Sequence, residues 1–236
     1  MGAAGEHDLA GVMDRQAFER DGVIFAGRRL ADADVTALRA LADQRIGHRP
    51  GVRLGDEPVL TSLLAADGAI GAVAARLTST ATRPVRVVLF DKTADANWGV
   101  AWHQDRTIPV LKRIEVEGFG PWSSKDGVLH VAPPFEVLER MVTLRVHLDD
   151  VDADNAPLEV AVGSHRLGRV PARDATMVAG SQSQTICLAR TGDIWAYRTP
   201  VLHASSPSLK ETRRRVLQVD YADFDLPGGL RWRAPQ

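Results

Sequence analysis

The sequence predicts an α+β protein that is mainly β: an antiparallel sandwich or jelly roll with N-terminal helices packed on one sheet. Helical spacing of apolar residues is confined to roughly the first 80 positions. From Pro84 the texture changes to short β-branched or aromatic runs separated by Gly, Pro and Asp. The chain has 236 residues, 44% hydrophobic and 25% charged, which suits one soluble domain able to bury a core and a pocket. We therefore expect a single domain over 1–236, with helical support over about 14–80 and a jelly-roll core over about 84–225.

Asp14 precedes "RQAFERDG", an N-capped helix closed by Gly22, and "VIFA" follows as a strand. Asp32 or Asp34 can cap the next helix, where Val35, Leu38, Leu41 and Ala42 fall at helical spacing. A further helical pair is expected across 57–77, with "GAIGAVAA" as its buried part. The strands are then "VRVVLF", "WGVAWHQD", "MVTLRVHLDD", "LEVAVG", "QTICLA", "DIWAYR" and "RRVLQVDYA". Residues 106–134, which include Phe119 and Trp122, show no clean period and read as a long loop starting directly after Asp105. Loops of that length in a compact domain are usually lids or disordered segments, and a lid is the expectation here.

Composition narrows the partners. A net charge of −1, from 29 basic and 30 acidic residues, gives no global field to attract nucleic acid or an anionic membrane. A small-molecule substrate is the expectation. Cys187 is the only cysteine, which excludes an intramolecular disulfide and a cysteine metal cluster and fits a reducing cytoplasm. "MGAAGEHDLAGVMDR" has no apolar core of signal-peptide length, and no run is long enough to cross a bilayer.

The chemistry gathers around "WHQD". In an extended chain His103 and Asp105 point to one face, so an imidazole and a carboxylate reach one point together. His203, in "GDIWAYRTPVLHASSP", is delivered by turns onto a neighbouring strand and can complete the set. Two histidines and one carboxylate on one face of Fe(II) leave positions open for a co-substrate and O2, the logic of non-haem iron oxygenases. His7, His48, His130, His147 and His165 read as structural or surface histidines. Using 2-oxoglutarate as the co-substrate requires a buried cation for its distal carboxylate, and arginine binds carboxylates in bidentate fashion. "ETRRRVLQVDYA" offers Arg213, Arg214 and Arg215; alternation puts Arg214 with Val216 and Gln218 and Arg215 with Leu217, Val219 and Tyr221, without saying which face is inward.

"WHQD", "MVTLRVHLDDVDADNAPLEVAVGSH", "GDIWAYRTPVLHASSP" and "RRVLQVDYA" together resemble the phytanoyl-CoA dioxygenase family of Fe(II)- and 2-oxoglutarate-dependent oxygenases, and the likeness extends through "AFERDGVIF" and "VRVVLFDKTADANW". The resemblance implies a double-stranded β-helix of cupin-like form. It also implies His103, Asp105 and His203 as iron ligands and Arg214 as the partner of the 2-oxoglutarate C5 carboxylate. Ser205 and Thr143 are hydroxyls that could hydrogen-bond the co-substrate. Lys92 is a further anion contact in principle, although its place at a strand end reads as surface. Related halogenases replace the ligand carboxylate with a small residue, so Asp105 favours hydroxylation. A jelly-roll metal-dependent hydrolase and a non-catalytic small-ligand-binding domain are the rival readings. The hydrolase leaves Arg214 unexplained and lacks an obvious general base.

Overall fold

The computed structural model describes residues 13–47 and 49–233, so His7 and His48 lie outside the described residues. Helix α1 (Arg15–Asp21) starts as the sequence predicts: the Asp14 carboxylate accepts from the amides of Gln16 and Ala17, at 2.8 and 3.1 Å. Gly22, at φ 73°, closes it and feeds β1 (Val23–Arg28). Glycine is needed there twice over, because a Cβ would also lie 2.2 Å from Nδ1 of His165. Helix α2 (Asp32–Arg45) buries Val35, Leu38, Leu41 and Ala42 as expected. Its cap differs: Ala31 occupies the N-cap, and Asp34 reaches back to accept from the Ala31 amide at 3.3 Å. Strand β2 (Gly51–Arg53), then α3 (Pro58–Leu64) and α4 (Gly71–Leu77), complete the first third.

The rest is β-rich: β3 (Arg83–Lys92), β4 (Val100–His103), β5 (Ile108–Pro109), β6 (Trp122–Lys125), β7 (Val128–Val131), β8 (Val142–His147), β9 (Leu158–Ala161), β10 (Gln184–Cys187), β11 (Asp193–Arg198), β12 (His203–Ser205) and β13 (Arg214–Ala222), with short helices α5 (Phe135–Glu139) and α6 (Ala175–Gly180) between. A six-stranded sheet runs β1-β11-β8-β13-β3-β2 and a four-stranded sheet runs β10-β9-β12-β4, with antiparallel pairing throughout. This is a mainly β jelly roll with helices against the larger sheet.

Alternation sorts the larger sheet into two unlike faces. Val87, Leu89, Leu144, Val146, Leu217, Val219 and Tyr221 face the helices and form one cluster with Phe18, Leu38, Leu64, Ile70 and Leu77. The opposite face carries Arg86, Lys92, Thr143, Arg145, His147, Arg214, Gln218 and Asp220, all buried. The largest apolar cluster therefore sits outside the sandwich, and inside it the polar residues share the space with a smaller apolar cluster of Val23, Leu158, Val160, Cys187, Tyr197 and Val201.

Residues 106–134 are more ordered than the loop the sequence suggests. They form a third sheet, β5-β7-β6. Ile108, Val110, Phe119 and Val131 pack with Leu226, Leu230 and Trp232 from beyond β13, and Trp122 packs against the same cluster. Those apolar residues have no period of their own because their partners lie about a hundred positions away. His130 is part of β7 and fully buried rather than on a loop. Among the described residues no helix is long and apolar enough to cross a membrane.

Candidate metal centre

His103 is the last residue of β4 and His203 the first of β12, and the two are direct cross-strand partners. Their ring centroids lie 4.2 Å apart. Strand β4 stops at His103, so Asp105 lies just past the strand end rather than on it, yet it reaches the same point. One ligand atom from each of His103, Asp105 and His203 falls within 4.8 Å of the others.

Both imidazoles are set for ligation. Nδ1 of His103 donates to the Ala101 carbonyl at 2.9 Å, and Nδ1 of His203 donates to the Val201 carbonyl at 3.0 Å. The proton on Nδ1 leaves Nε2 with a free lone pair, the usual way in which an outer hydrogen bond fixes a ligand's tautomer and orientation. Burial, followed by the proximity of His103, lowers the His203 pKa to about 4, so its ring is neutral at physiological pH. The donor set suits a borderline divalent metal such as Fe(II).

Asp105 is held by Arg86, whose Nη2 lies 2.6 Å from the carboxylate, while its Nε lies 2.5 Å from Asp220. Burial opposes ionisation of Asp105, but Arg86 and the two histidines prevail, holding its carboxyl well below the usual range. Asp220 also accepts from the Thr143 hydroxyl at 3.0 Å. Thr143 is thus tied to this network, bonded to Thr199 as well as Asp220, and is not among the residues that line the cavity. Arg86 and Asp220 had a sequence signal. Each is the single charged residue of its run, "VRVVLF" and "LQVDYA", on the register face that alternation shares with other polar residues.

The triad opens onto a cavity of about 590 Å³ between the two sheets. Arg214 lines it, 3% exposed; Nη1 donates to the Ala156 carbonyl at 2.6 Å, and Nε has no protein partner. Burial and then Arg145 bring its pKa down to about 9. Its neighbours in the sequence face away: Arg213 pairs with Asp91 and Asp43, and Arg215 with Asp149. Lys92 is Arg214's cross-strand partner and is 1% exposed, which corrects the surface reading. Its ammonium donates to the Ser206 carbonyl at 2.9 Å and lies 5.1 Å from the Trp98 ring centroid. Burial, then Arg214 and Arg145, lower it to about 8. Ser205 lines the cavity, with its hydroxyl donating to the Ala156 carbonyl at 3.0 Å. Arg145, which the sequence reading left aside, also lines the cavity and donates to Gln218 Oε1 at 3.0 Å. Trp102, Trp195 and Tyr197 are packing residues off the cavity wall.

No curated protein sequence matches the chain. Among solved structures, the epimerase SnoN in complex with Fe3+, alpha ketoglutarate and nogalamycin RO is 19% identical over 94% of this chain and 93% of that chain, with a TM-score of 0.66. The non-heme alpha ketoglutarate dependent carbocyclase SnoK from nogalamycin biosynthesis is 18% identical over 94% and 88%, also with a TM-score of 0.66. HygX from Streptomyces hygroscopicus, with nickel, 2-oxoglutarate and hygromycin B bound, is 17% identical over 89% and 87%, with a TM-score of 0.60. At these identities the likeness establishes the shared fold. The family profile described as Phytanoyl-CoA dioxygenase (PhyH) matches residues 18–216, most of the chain, and the protein belongs to the phytanoyl-CoA dioxygenase family.

Proposed function

We propose that the protein is a non-haem Fe(II)- and 2-oxoglutarate-dependent dioxygenase that hydroxylates an aliphatic C–H bond of a small organic substrate, releasing succinate and CO2. The observation that carries this reading is the pairing of two features on one cavity. His103, Asp105 and His203 converge at one place, and Arg214 stands elsewhere on the wall, buried and without a carboxylate partner among the described residues. A metal site alone would leave Arg214 a costly isolated cation. A dicarboxylate held at one end by the metal and at the other by Arg214 accounts for both.

When bound, the iron and 2-oxoglutarate supply the oxidant through oxygen-dependent decarboxylation. The chain's own work is placement. His103 and His203 present their Nε2 atoms, Arg86 orients Asp105, and Arg214 with Lys92 neutralises the distal carboxylate. Ser205 is proposed as a hydrogen-bonding neighbour of the co-substrate, because it shares the Ala156 carbonyl with Arg214. The hydrolase reading gives no role to Arg214, Lys92 or Arg145 on the same wall. Hydroxylation is proposed over halogenation because the ligand carboxylate is present. SnoN is described as an epimerase and SnoK as a carbocyclase, so members of this fold direct related chemistry to other outcomes.

The test is aerobic incubation with Fe(II) and 2-oxoglutarate, scored by succinate. We expect release that His203→Ala abolishes, and an Arg214→Ala protein that keeps its metal but loses 2-oxoglutarate affinity by roughly a hundredfold, the scale for losing a buried charged hydrogen-bonding partner. Unchanged affinity in Arg214→Ala would assign the co-substrate to another residue.

A further inference from the structure

We propose that the substrate carries a negatively charged group, a carboxylate or a phosphate, which docks at the cavity mouth against Lys125 and Arg49. The inference rests on the dioxygenase reading and identifies the class of molecule that reading leaves open.

The first support is the charge of the interior. Four buried cations, Arg86, Lys92, Arg145 and Arg214, face two carboxylates, Asp105 and Asp220, on the polar side of the larger sheet and beside the triad. A divalent metal and a dianionic co-substrate cancel each other. The loaded cavity therefore keeps an excess of two positive charges, even with Asp220 counted as ionised. Buried charge without a counter-charge is expensive, so a cavity built this way favours an anion and disfavours a cation.

The second support is the mouth. Arg53 there is occupied by Asp126 at the β6–β7 turn. Lys125, next to it, donates to the Thr107 hydroxyl at 2.9 Å and has no carboxylate in ion-pair range among the described residues. Among the described residues Arg49 donates only to the Arg45 and Ile46 carbonyls. Burial, then Arg86, and also Arg53, hold Lys125 below its ordinary lysine range, a repulsion that an arriving anion relieves. Val52, Val88 and Phe90 line the cavity too, so an apolar body can lie behind the charged group.

The division of labour follows from position. Arg214 and Lys92 are cross-strand partners and lie together, so the co-substrate's distal carboxylate belongs with them. Arg49 and Lys125 come from the segment before β2 and from the third sheet. Lys125 lies with Asp126 beside Arg53, at the far end of β2 from Lys92, and so remains available to a second ligand, while Arg49, which follows Lys92 in the β2–β3 register, extends the positive wall from the Lys92 end.

The test uses protein loaded with Ni(II), to prevent turnover, and 2-oxoglutarate. Phenyl phosphate is titrated by calorimetry, with benzyl alcohol as its neutral match. Phenyl phosphate is expected to bind roughly tenfold or more tightly than benzyl alcohol, and an Arg49→Gln, Lys125→Gln double variant is expected to lose that preference while 2-oxoglutarate affinity moves less than about twofold. Equal binding of the two probes, no binding of phenyl phosphate, or a preference that survives the double substitution would each overturn the proposal. Failure of the dioxygenase reading shows separately, in the preceding titration of Ni(II)-loaded protein with 2-oxoglutarate alone.

Discussion

Arg86 is the residue on which the metal carboxylate depends, because it is the cation that Asp105 and Asp220 share inside the sandwich. Removing it leaves two buried carboxylates side by side. Arg86→Met is expected to cost about 3–5 kcal/mol of folding free energy, the scale for removing one partner of a buried pair, and to weaken metal binding as well. Urea unfolding of metal-free protein and a Ni(II) titration check the two effects; tight metal binding in a stable Arg86→Met protein would refute them. Thr143 belongs to the same network through Asp220. Thr143→Val is expected to cost about 1–3 kcal/mol for the orphaned partner while leaving 2-oxoglutarate affinity unchanged. A fall in that affinity would restore Thr143 as a contact of the co-substrate.

At the scale of elements, β13 divides the molecule's two tasks residue by residue. Leu217, Val219 and Tyr221 hold the helices, whereas Arg214 and Gln218 line the cavity. Leu217→Ala is expected to lower stability by about 2–5 kcal/mol, with metal stoichiometry unchanged in the folded fraction. The Arg214–Lys92 pair also gives β13 and β3 a pH signature. Their folded-state pKa values, about 9 and about 8, lie below the ordinary arginine and lysine ranges. The folded protein thus holds fewer protons than the unfolded chain above about pH 8, and the stability of metal-free protein should rise from there towards about pH 10 as the burial penalty is relieved. Over the same window 2-oxoglutarate affinity should fall, because the cations that hold it are being lost. Unfolding midpoints and titrations on both sides of about pH 8.5 check the opposite signs. The strand face of Arg214 shows why this site was only partly legible in the sequence. Alternation pairs Arg214 with Gln218 and Arg215 with Leu217, but the inward face is the polar one, against the usual expectation, and only the helices packed on Leu217 reveal it. Helix α1 was legible from its caps, and α2 from its spacing although Ala31 rather than an aspartate occupies its N-cap. The third sheet was not, because Ile108, Val110 and Val131 find their partners in Leu226, Leu230 and Trp232.

For the whole molecule, these facts describe a jelly roll whose largest apolar cluster lies on the helix side, which leaves room for charge in the sandwich interior beside a smaller apolar cluster. The triad could be read in the sequence only as a conjunction, since His103 and Asp105 lie two apart while His203 arrives from a hundred residues away through the β12–β4 pairing. The lysine and second arginine in the cavity, Lys92 and Arg145, were hidden because strand-end position and a charged letter in "LRVHL" do not report burial. The central claim is that one cavity binds a divalent metal and 2-oxoglutarate together. Its most direct test is an anaerobic spectrophotometric titration of the Fe(II)-loaded protein with 2-oxoglutarate. The account expects a weak visible charge-transfer band that saturates at one equivalent, is absent in His203→Ala, and needs far more 2-oxoglutarate in Arg214→Ala. Folded, iron-loaded wild-type protein that develops no band would contradict it.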